Sequence, residues 1–205
     1  MQIIYDFDGV LFDSYDSVRK MMYPDLALLC GKELTQDELN YCFEHGMADN
    51  IEHIFGNDAW EFVKSLPYKE YYDHAIPMPF IKPTILFLKL KGINVSICSN
   101  RVSGIGYILD KHKMTRYFDN VVTSKEYPSK PNPEGLLSLI DGETWYVGDS
   151  ETDSSTAHKA NVGFIAYNNP NIKADYHISN HLQILHLTPI KEYGIKIAGG
   201  IDGNS

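Results

Sequence analysis

The sequence predicts an α/β chain: a parallel sheet flanked by helices, with a small helical unit inserted after the first strand. Three observations carry this. From about residue 80 onward short apolar runs alternate with segments of helical periodicity, the pattern of a parallel sheet. The stretch from about Ser14 to about Pro79 is too long for a simple crossover and repeats apolar residues at helical spacing. Predicted strands end in polar residues, as they do when their carboxyl ends line a ligand crevice.

The first strand spans residues 2–6, where Ile3-Ile4-Tyr5 runs into Asp6-Phe7-Asp8-Gly9. Packing favours neither carboxylate there, since a buried unpaired charge costs several kcal/mol. A strand end opening on a cleft suits both, if one attacks and the other handles a proton with a metal ion between them. In the insertion, apolar positions recur around Val18, Met21, Met22, Leu26 and Leu29, and again around Ile51, Ile54, Phe55, Trp60, Phe62 and Val63. Thr35-Gln36-Asp37-Glu38 has the form of a capping box that starts a helix. Four or five short helices forming a lid follow, and Ile76-Pro77-Met78-Pro79 is a stiff return linker.

Later elements alternate: a helix over 83–91 stopped by Gly92, a strand over 93–98, a helix over 103–112, a strand over 120–123, a helix over 133–140, a strand over 144–147, a helix over 152–161 and a strand over 163–166. The domain boundaries expected are 1–13 with 80–188 for the core, 14–79 for the helical cap, and 189–205 for a tail that frays.

Composition narrows the function. With 205 residues the chain can bury a full core and a smaller second one. No apolar stretch is long enough to cross a bilayer, and no export leader is read at the N-terminus. Cys30, Cys42 and Cys98 are odd in number and form no zinc pattern, which points to a reducing, cytoplasmic setting. Asn94-Val95-Ser96 matches a glycosylation acceptor formally, but it falls in a predicted buried strand. The net charge is −9, and twelve Asp/Glu against five Lys/Arg fall within residues 14–80. With three arginines (Arg19, Arg101, Arg116) and no basic stripe, the chain is not a nucleic-acid binder and should take small substrates.

Polar residues at four predicted strand ends or helix starts could meet at one edge of the sheet: Asp6 and Asp8, Ser99-Asn100-Arg101, Lys130-Pro131-Asn132-Pro133, and Gly148-Asp149-Ser150-Glu151-Thr152-Asp153. Alone, each has a bland reading. Ser99-Asn100 is more often a helix cap, Lys130 a solvated charge, and Asp149 with Asp153 a helix N-terminus. A calcium loop is excluded by Val10 in the first acidic stretch, and by Ser154 and Ala160 in the last.

Together and in this order, the four motifs resemble the haloacid dehalogenase-like superfamily. Within it they resemble the phosphatases with a helical C1-type cap, phosphoglycolate phosphatase-like, over about residues 2–187. The resemblance implies a Rossmann-like parallel sheet core with the cap inserted after the first strand, and a hydrolase that cleaves a small phosphomonoester through an aspartyl phosphate. It implies Asp6 as nucleophile, Asp8 as acid and then base, Ser99 and the Asn100 amide as phosphate ligands, and Lys130 as the charge-neutralising group. It implies Mg²⁺ bound by Asp6, the main-chain carbonyl of Asp8, Asp149, and Asp153 directly or through water. In relatives a cap loop selects the leaving group, and residues 45–50 could do so here through His45, Gly46 and Asp49; an ordinary interhelical turn fits that stretch equally.

The acid at Asp8 disfavours dehalogenation. Val18 stands where helical-cap sugar-phosphate mutases carry a histidine, and Lys20 and Lys32 lack the context of a Schiff-base lysine. A phosphomutase and a catalytically inactive binding protein of the same fold are the alternatives, and a monomer or homodimer is expected. Histidines 177, 181 and 186 have no ligand spacing and are expected at the surface.

Overall fold

The computed structural model describes residues 1–44 and 50–198. Its strands are β1 (Gln2–Tyr5), β2 (Phe12–Asp13), β3 (Ile76–Pro77), β4 (Asn94–Ser99), β5 (Val121–Thr123), β6 (Thr144–Gly148), β7 (Gly163–Tyr167) and β8 (Tyr176–Ile178). The described α-helices are α1 (Tyr15–Leu29), α2 (Gln36–Glu44), α3 (Ala59–Val63), α4 (Tyr68–Tyr72), α5 (Ile81–Leu90), α6 (Ile105–Lys111), α7 (Glu134–Leu137), α8 (Glu151–Lys159) and α9 (Thr188–Ala198). The chain divides into two compact units, one of residues 1–12 with 77–205 and one of residues 13–76.

The larger unit holds a six-stranded sheet in the order β5-β4-β1-β6-β7-β8, with every neighbouring pair parallel. β1 sits inside the sheet because all four of its residues are buried, a side chain on either face. Ile3 and Ile4 are fully buried, each contributing about 1.5–3 kcal/mol of apolar burial. Below the sheet Ile4, Tyr146, Phe164, Ala157 and Leu136 form a continuous core. Helix α5 buries Ile81, Thr84, Ile85 and Leu88, the i, i+3, i+4, i+7 stripe of a core-facing helix, and it ends before Gly92, whose φ of 73° favours glycine.

The smaller unit has its own core of Met22, Tyr23, Leu26, Cys42, Ile51, Ala59, Val63, Leu66 and Tyr71. The Thr35 cap forms as read: the Thr35 amide donates to Glu38 Oε2 at 2.9 Å, and the Glu38 amide to Thr35 Oγ1 at 3.3 Å. Pro24 interrupts the α1 hydrogen-bond ladder on the exposed side, where water can serve the freed carbonyl. Trp60 and Phe62, at apolar positions of the sequence pattern, are 40% and 39% exposed.

Three features differ from expectation. Strand β8 extends the sheet beyond the last predicted strand. Helix α9 runs through the stretch expected to fray as a tail, anchored by the fully buried Ile190. His181, expected at the surface, is buried: its ring stacks on Tyr167 at 4.4 Å, and Nε2 lies 2.8 Å from the Val10 carbonyl oxygen.

Candidate active site

The site is built where the strand order reverses. From β1 the chain moves outward to β4 and β5 on one side, then returns across the sheet to β6 on the other side of β1, so the connections diverge there and open a crevice at the strand ends. The register sets Tyr5 level with Ile97 and Val147, and the Asp6 amide continues the ladder by donating to the Val147 carbonyl at 2.8 Å. Asp6, Ser99 and Asp149 therefore leave three neighbouring strands at the same edge.

Lys130 joins them. Its ammonium donates to Asp153 Oδ1 at 2.6 Å, to Asp6 Oδ1 at 2.8 Å and to the Tyr146 hydroxyl at 2.9 Å. Lys130 is 9% exposed, Asp6 6% and Asp153 fully buried, so these charges meet largely out of water. The Asn100 side chain fixes the Lys130 backbone: Oδ1 accepts from the Lys130 amide at 2.6 Å, and Nδ2 donates to its carbonyl at 3.2 Å. Ser99 is buried at the end of β4, and its Oγ accepts from the Arg101 amide at 3.2 Å.

Asp153 serves two purposes that the sequence presented as alternatives. It closes a capping box at the start of α8, with Oδ2 accepting from Ser150 Oγ at 2.5 Å and from the Ser150 amide at 3.2 Å. Its other oxygen takes Lys130 and Tyr146. Asp6, Asp149 and Asp153 each present a carboxylate oxygen within 4.8 Å of the others. Gly148 makes the packing possible: a Cβ there would lie 2.3 Å from the Asp153 Cβ.

Asp8 stands apart from this cluster. Arg101 Nε donates to both of its oxygens at 2.8 Å, and the guanidinium lies over the Phe7 ring, 5.4 Å from its centre.

Electrostatics follow from three carboxylates sharing one ammonium. Burial pushes the Asp6 carboxyl well up; Lys130 opposes the shift, while Asp153 and Asp8 add to it. Burial, then Asp153, pushes Asp149 up to about 7. At Asp153 burial also disfavours the charge, but Lys130 and the hydrogen bonds from Ser150 and Tyr146 outweigh it and hold the carboxyl below its ordinary value. Burial likewise works against the Lys130 charge, and Asp6 with Asp153 overcomes it, so the ammonium keeps its proton.

The structure thus brings Asp6, Ser99, Asn100, Lys130, Asp149 and Asp153 together at one edge, with Asp8 two residues on. His45, Gly46 and Asp49 lie outside the described residues. Two further side chains enter the site without having been assigned a role from the sequence. Arg101 was visible only as the residue after Ser99-Asn100. Tyr146 reads as an ordinary inward position of a buried strand, and no sequence signal marks its hydroxyl.

Comparison with known proteins agrees with this fold. The family model described as haloacid dehalogenase-like hydrolase matches residues 3–167. A phosphoglycolate phosphatase of Cereibacter sphaeroides is 24% identical over 182 residues, which cover 80% of this chain and 84% of the relative. A crystal structure of a hydrolase of the same superfamily from Geobacter sulfurreducens PCA, subfamily IA, variant 1, is 26% identical with a TM-score of 0.78, covering 90% of this chain and 97% of that one. A structure described as a haloacid dehalogenase-like hydrolase from Bacteroides fragilis is 25% identical with a TM-score of 0.73, covering 89% and 98%.

Proposed function

The chain belongs to the haloacid dehalogenase-like hydrolases, and from that premise we propose a Mg²⁺-dependent phosphatase that hydrolyses a small phosphomonoester through an aspartyl phosphate on Asp6. The observation that carries the reading is the buried Lys130 ammonium held between Asp6 and Asp153, with the Asp149 carboxylate alongside.

The donor set suits a hard divalent cation. Its side chains offer only oxygen, and three carboxylates exceed the single ammonium by two charges. Asp6, Asp149 and the Asp8 main-chain carbonyl would hold the ion. Asp153 would act through water, because its oxygens already accept five hydrogen bonds. When bound, Mg²⁺ neutralises phosphoryl oxygens and favours the ionised forms of Asp6 and Asp149.

The residues then divide the work. Asp6 attacks phosphorus in line, oriented by Lys130, as the bond to the leaving oxygen breaks. Asp8 gives its proton to the departing alkoxide. It then takes one from the water that attacks the aspartyl phosphate, which frees Asp6 and phosphate. Arg101 holds Asp8 between these roles. Ser99 and the Asn100 amide bind phosphoryl oxygens, and Lys130 offsets the charge that gathers on them.

Residues 14–79 serve as the cap, and His45, Gly46 and Asp49 select the leaving group. Three free cysteines support a reducing, cytoplasmic setting, and among the described residues no helix is long and apolar enough to cross a membrane. The protein acts as a monomer or homodimer on a small molecule, with no nucleic acid involved. The phosphoglycolate phosphatase relative makes phosphoglycolate the first ester to assay, beside sugar phosphates and nucleoside monophosphates at equal concentration.

The deciding measurement is turnover of p-nitrophenyl phosphate with Mg²⁺. Wild type turns over, and Asp6→Asn loses at least about a thousandfold in kcat. Equal rates for the two proteins, or no turnover by wild type on any ester of the panel, would sink the reading.

A further inference from the structure

Tyr146 lies in β6 opposite Ile4, and its ring is fully buried in the core beneath the sheet. A lysine ammonium donates three hydrogens and accepts none. The three acceptors around Lys130 Nζ are Asp153 Oδ1, Asp6 Oδ1 and the Tyr146 hydroxyl, at 2.6, 2.8 and 2.9 Å. The phenol oxygen must therefore accept from Lys130, which leaves its one hydrogen to donate. Asp153 Oδ1 is 2.9 Å away and charged, and the Cys98 carbonyl is 3.2 Å away and neutral, so Asp153 is the stronger acceptor. Lys130 and Tyr146 thus converge on a single oxygen of Asp153 and close a triangle. With two corners of the ammonium fixed in this way, its third N–H has one direction left, toward Asp6.

We infer that Tyr146 is a positioning residue for phosphoryl transfer: its hydroxyl locks the rotation of the Lys130 ammonium so that one N–H is aimed at the nucleophile Asp6. The kinetic consequence rests on the phosphatase reading, whereas the hydrogen bond itself does not. Without the hydroxyl, the N–H that it held faces an apolar ring. The ammonium then turns and slides toward Asp153, and the orientation of Asp6 loosens. A tyrosine that only filled the core would be replaced by phenylalanine with little effect.

Two measurements test this together. In Tyr146→Phe, kcat for p-nitrophenyl phosphate at saturating Mg²⁺ falls about five- to fiftyfold while KM stays within about twofold. Placed on a Lys130→Met background, the same substitution changes the residual rate less than about twofold, because the group it acts through is gone. Independently of catalysis, ¹⁵N-lysine NMR of the wild type shows a slowly exchanging Lys130 ammonium, assigned by its loss in Lys130→Met, and Tyr146→Phe shifts that resonance and speeds its exchange. Wild-type kcat in Tyr146→Phe overturns the inference, as does an equal loss on both backgrounds. A fast-exchanging Lys130 ammonium in the wild type overturns it too, and that arm holds even if Tyr146→Phe folds poorly. If wild type turns over no ester, the phosphatase reading fails by itself and the NMR arm alone decides whether the tether exists.

Discussion

Lys130 in the sheet unit, and Lys32 and Lys64 in the helical unit, each sit 2.8 Å from a carboxylate: Asp6, Glu38 and Glu61 respectively. Their surroundings differ. Relative side-chain exposure is 6% and 8% for the first pair, 32% and 29% for the second, and 71% and 78% for the third. Identical contact distances therefore conceal three different energies. Coulomb attraction at one separation grows as water is removed, and so does the penalty for stranding one partner. Among the described residues the helical unit buries no charged side chain and packs its centre with Tyr23, Leu26, Ile51 and Tyr71. The sheet unit places charges inside, and chemistry follows from that choice.

Substitutions can break this comparison in order of size. Lys130→Met leaves Asp6 and Asp153 buried without their cation, which should lower stability by about 3–5 kcal/mol in urea titrations without metal. A loss under about 1 kcal/mol would mean that water reaches the cluster freely.

Mg²⁺ comes next, and its effect should depend on pH. The Asp149 carboxyl, raised to about 7, lies above the ordinary carboxylate range near ~4. A raised acid contributes stability that is complete below its unfolded value and lost as pH rises through 7. Asp153, held low, runs the other way: its contribution is present at neutral pH and is lost only in acid. The metal-free protein should therefore weaken between about pH 4 and 7 through Asp149, and Mg²⁺ should raise Tm most at pH 7–8 and least near pH 5. A melting scan with no difference between Mg²⁺ and EDTA at pH 7.5 would count heavily against the metal cluster.

Thr35→Ala removes the cap of α2 and should cost about 1 kcal/mol with kcat for p-nitrophenyl phosphate unchanged. Glu38, held down to about 2 chiefly by Lys32 and then by Thr35, contributes stability above the ordinary carboxylate range and loses it as pH falls through 2. The smallest effect belongs to Lys64→Ala, under about 0.5 kcal/mol by thermal unfolding. A larger cost would show that exposure is a poor guide to these pairs.

Much of this was legible in the sequence because it is local. Asp6 with Asp8, Ser99 with Asn100, and Asp149 with Asp153 each lie within a few residues at a strand end, so period and punctuation suffice to place them. The links between the groups were legible only in part: the family resemblance set Lys130 against the charge of Asp6, while nothing in the residues themselves signalled that contact or the one between Arg101 and Asp8. Lys130 meets Asp6 across 124 positions and Arg101 meets Asp8 across 93, distances that only the assembled sheet brings to contact. Tyr146 obeys strand alternation like any core residue, and alternation carries no information about where a hydroxyl ends. β8 and α9 were missed for a related reason. In β8 only Ile178 is buried, so Tyr176-His177-Ile178 offers no apolar run, and the glycine-rich end of the chain hid the helix before it, which is anchored through Ile190.

Gly148 carries a consequence for anyone altering this protein. Substitution tables rank glycine to alanine among the mildest changes, and position 148 touches neither a substrate nor a proton. Yet a single methyl group there would claim the space of the Asp153 side chain. Either the start of α8 backs away from β6 or Asp153 leaves Lys130. Either way the buried charges lose their register, and stability falls with them. Position 148 is therefore a place where one added carbon would unseat a buried carboxylate.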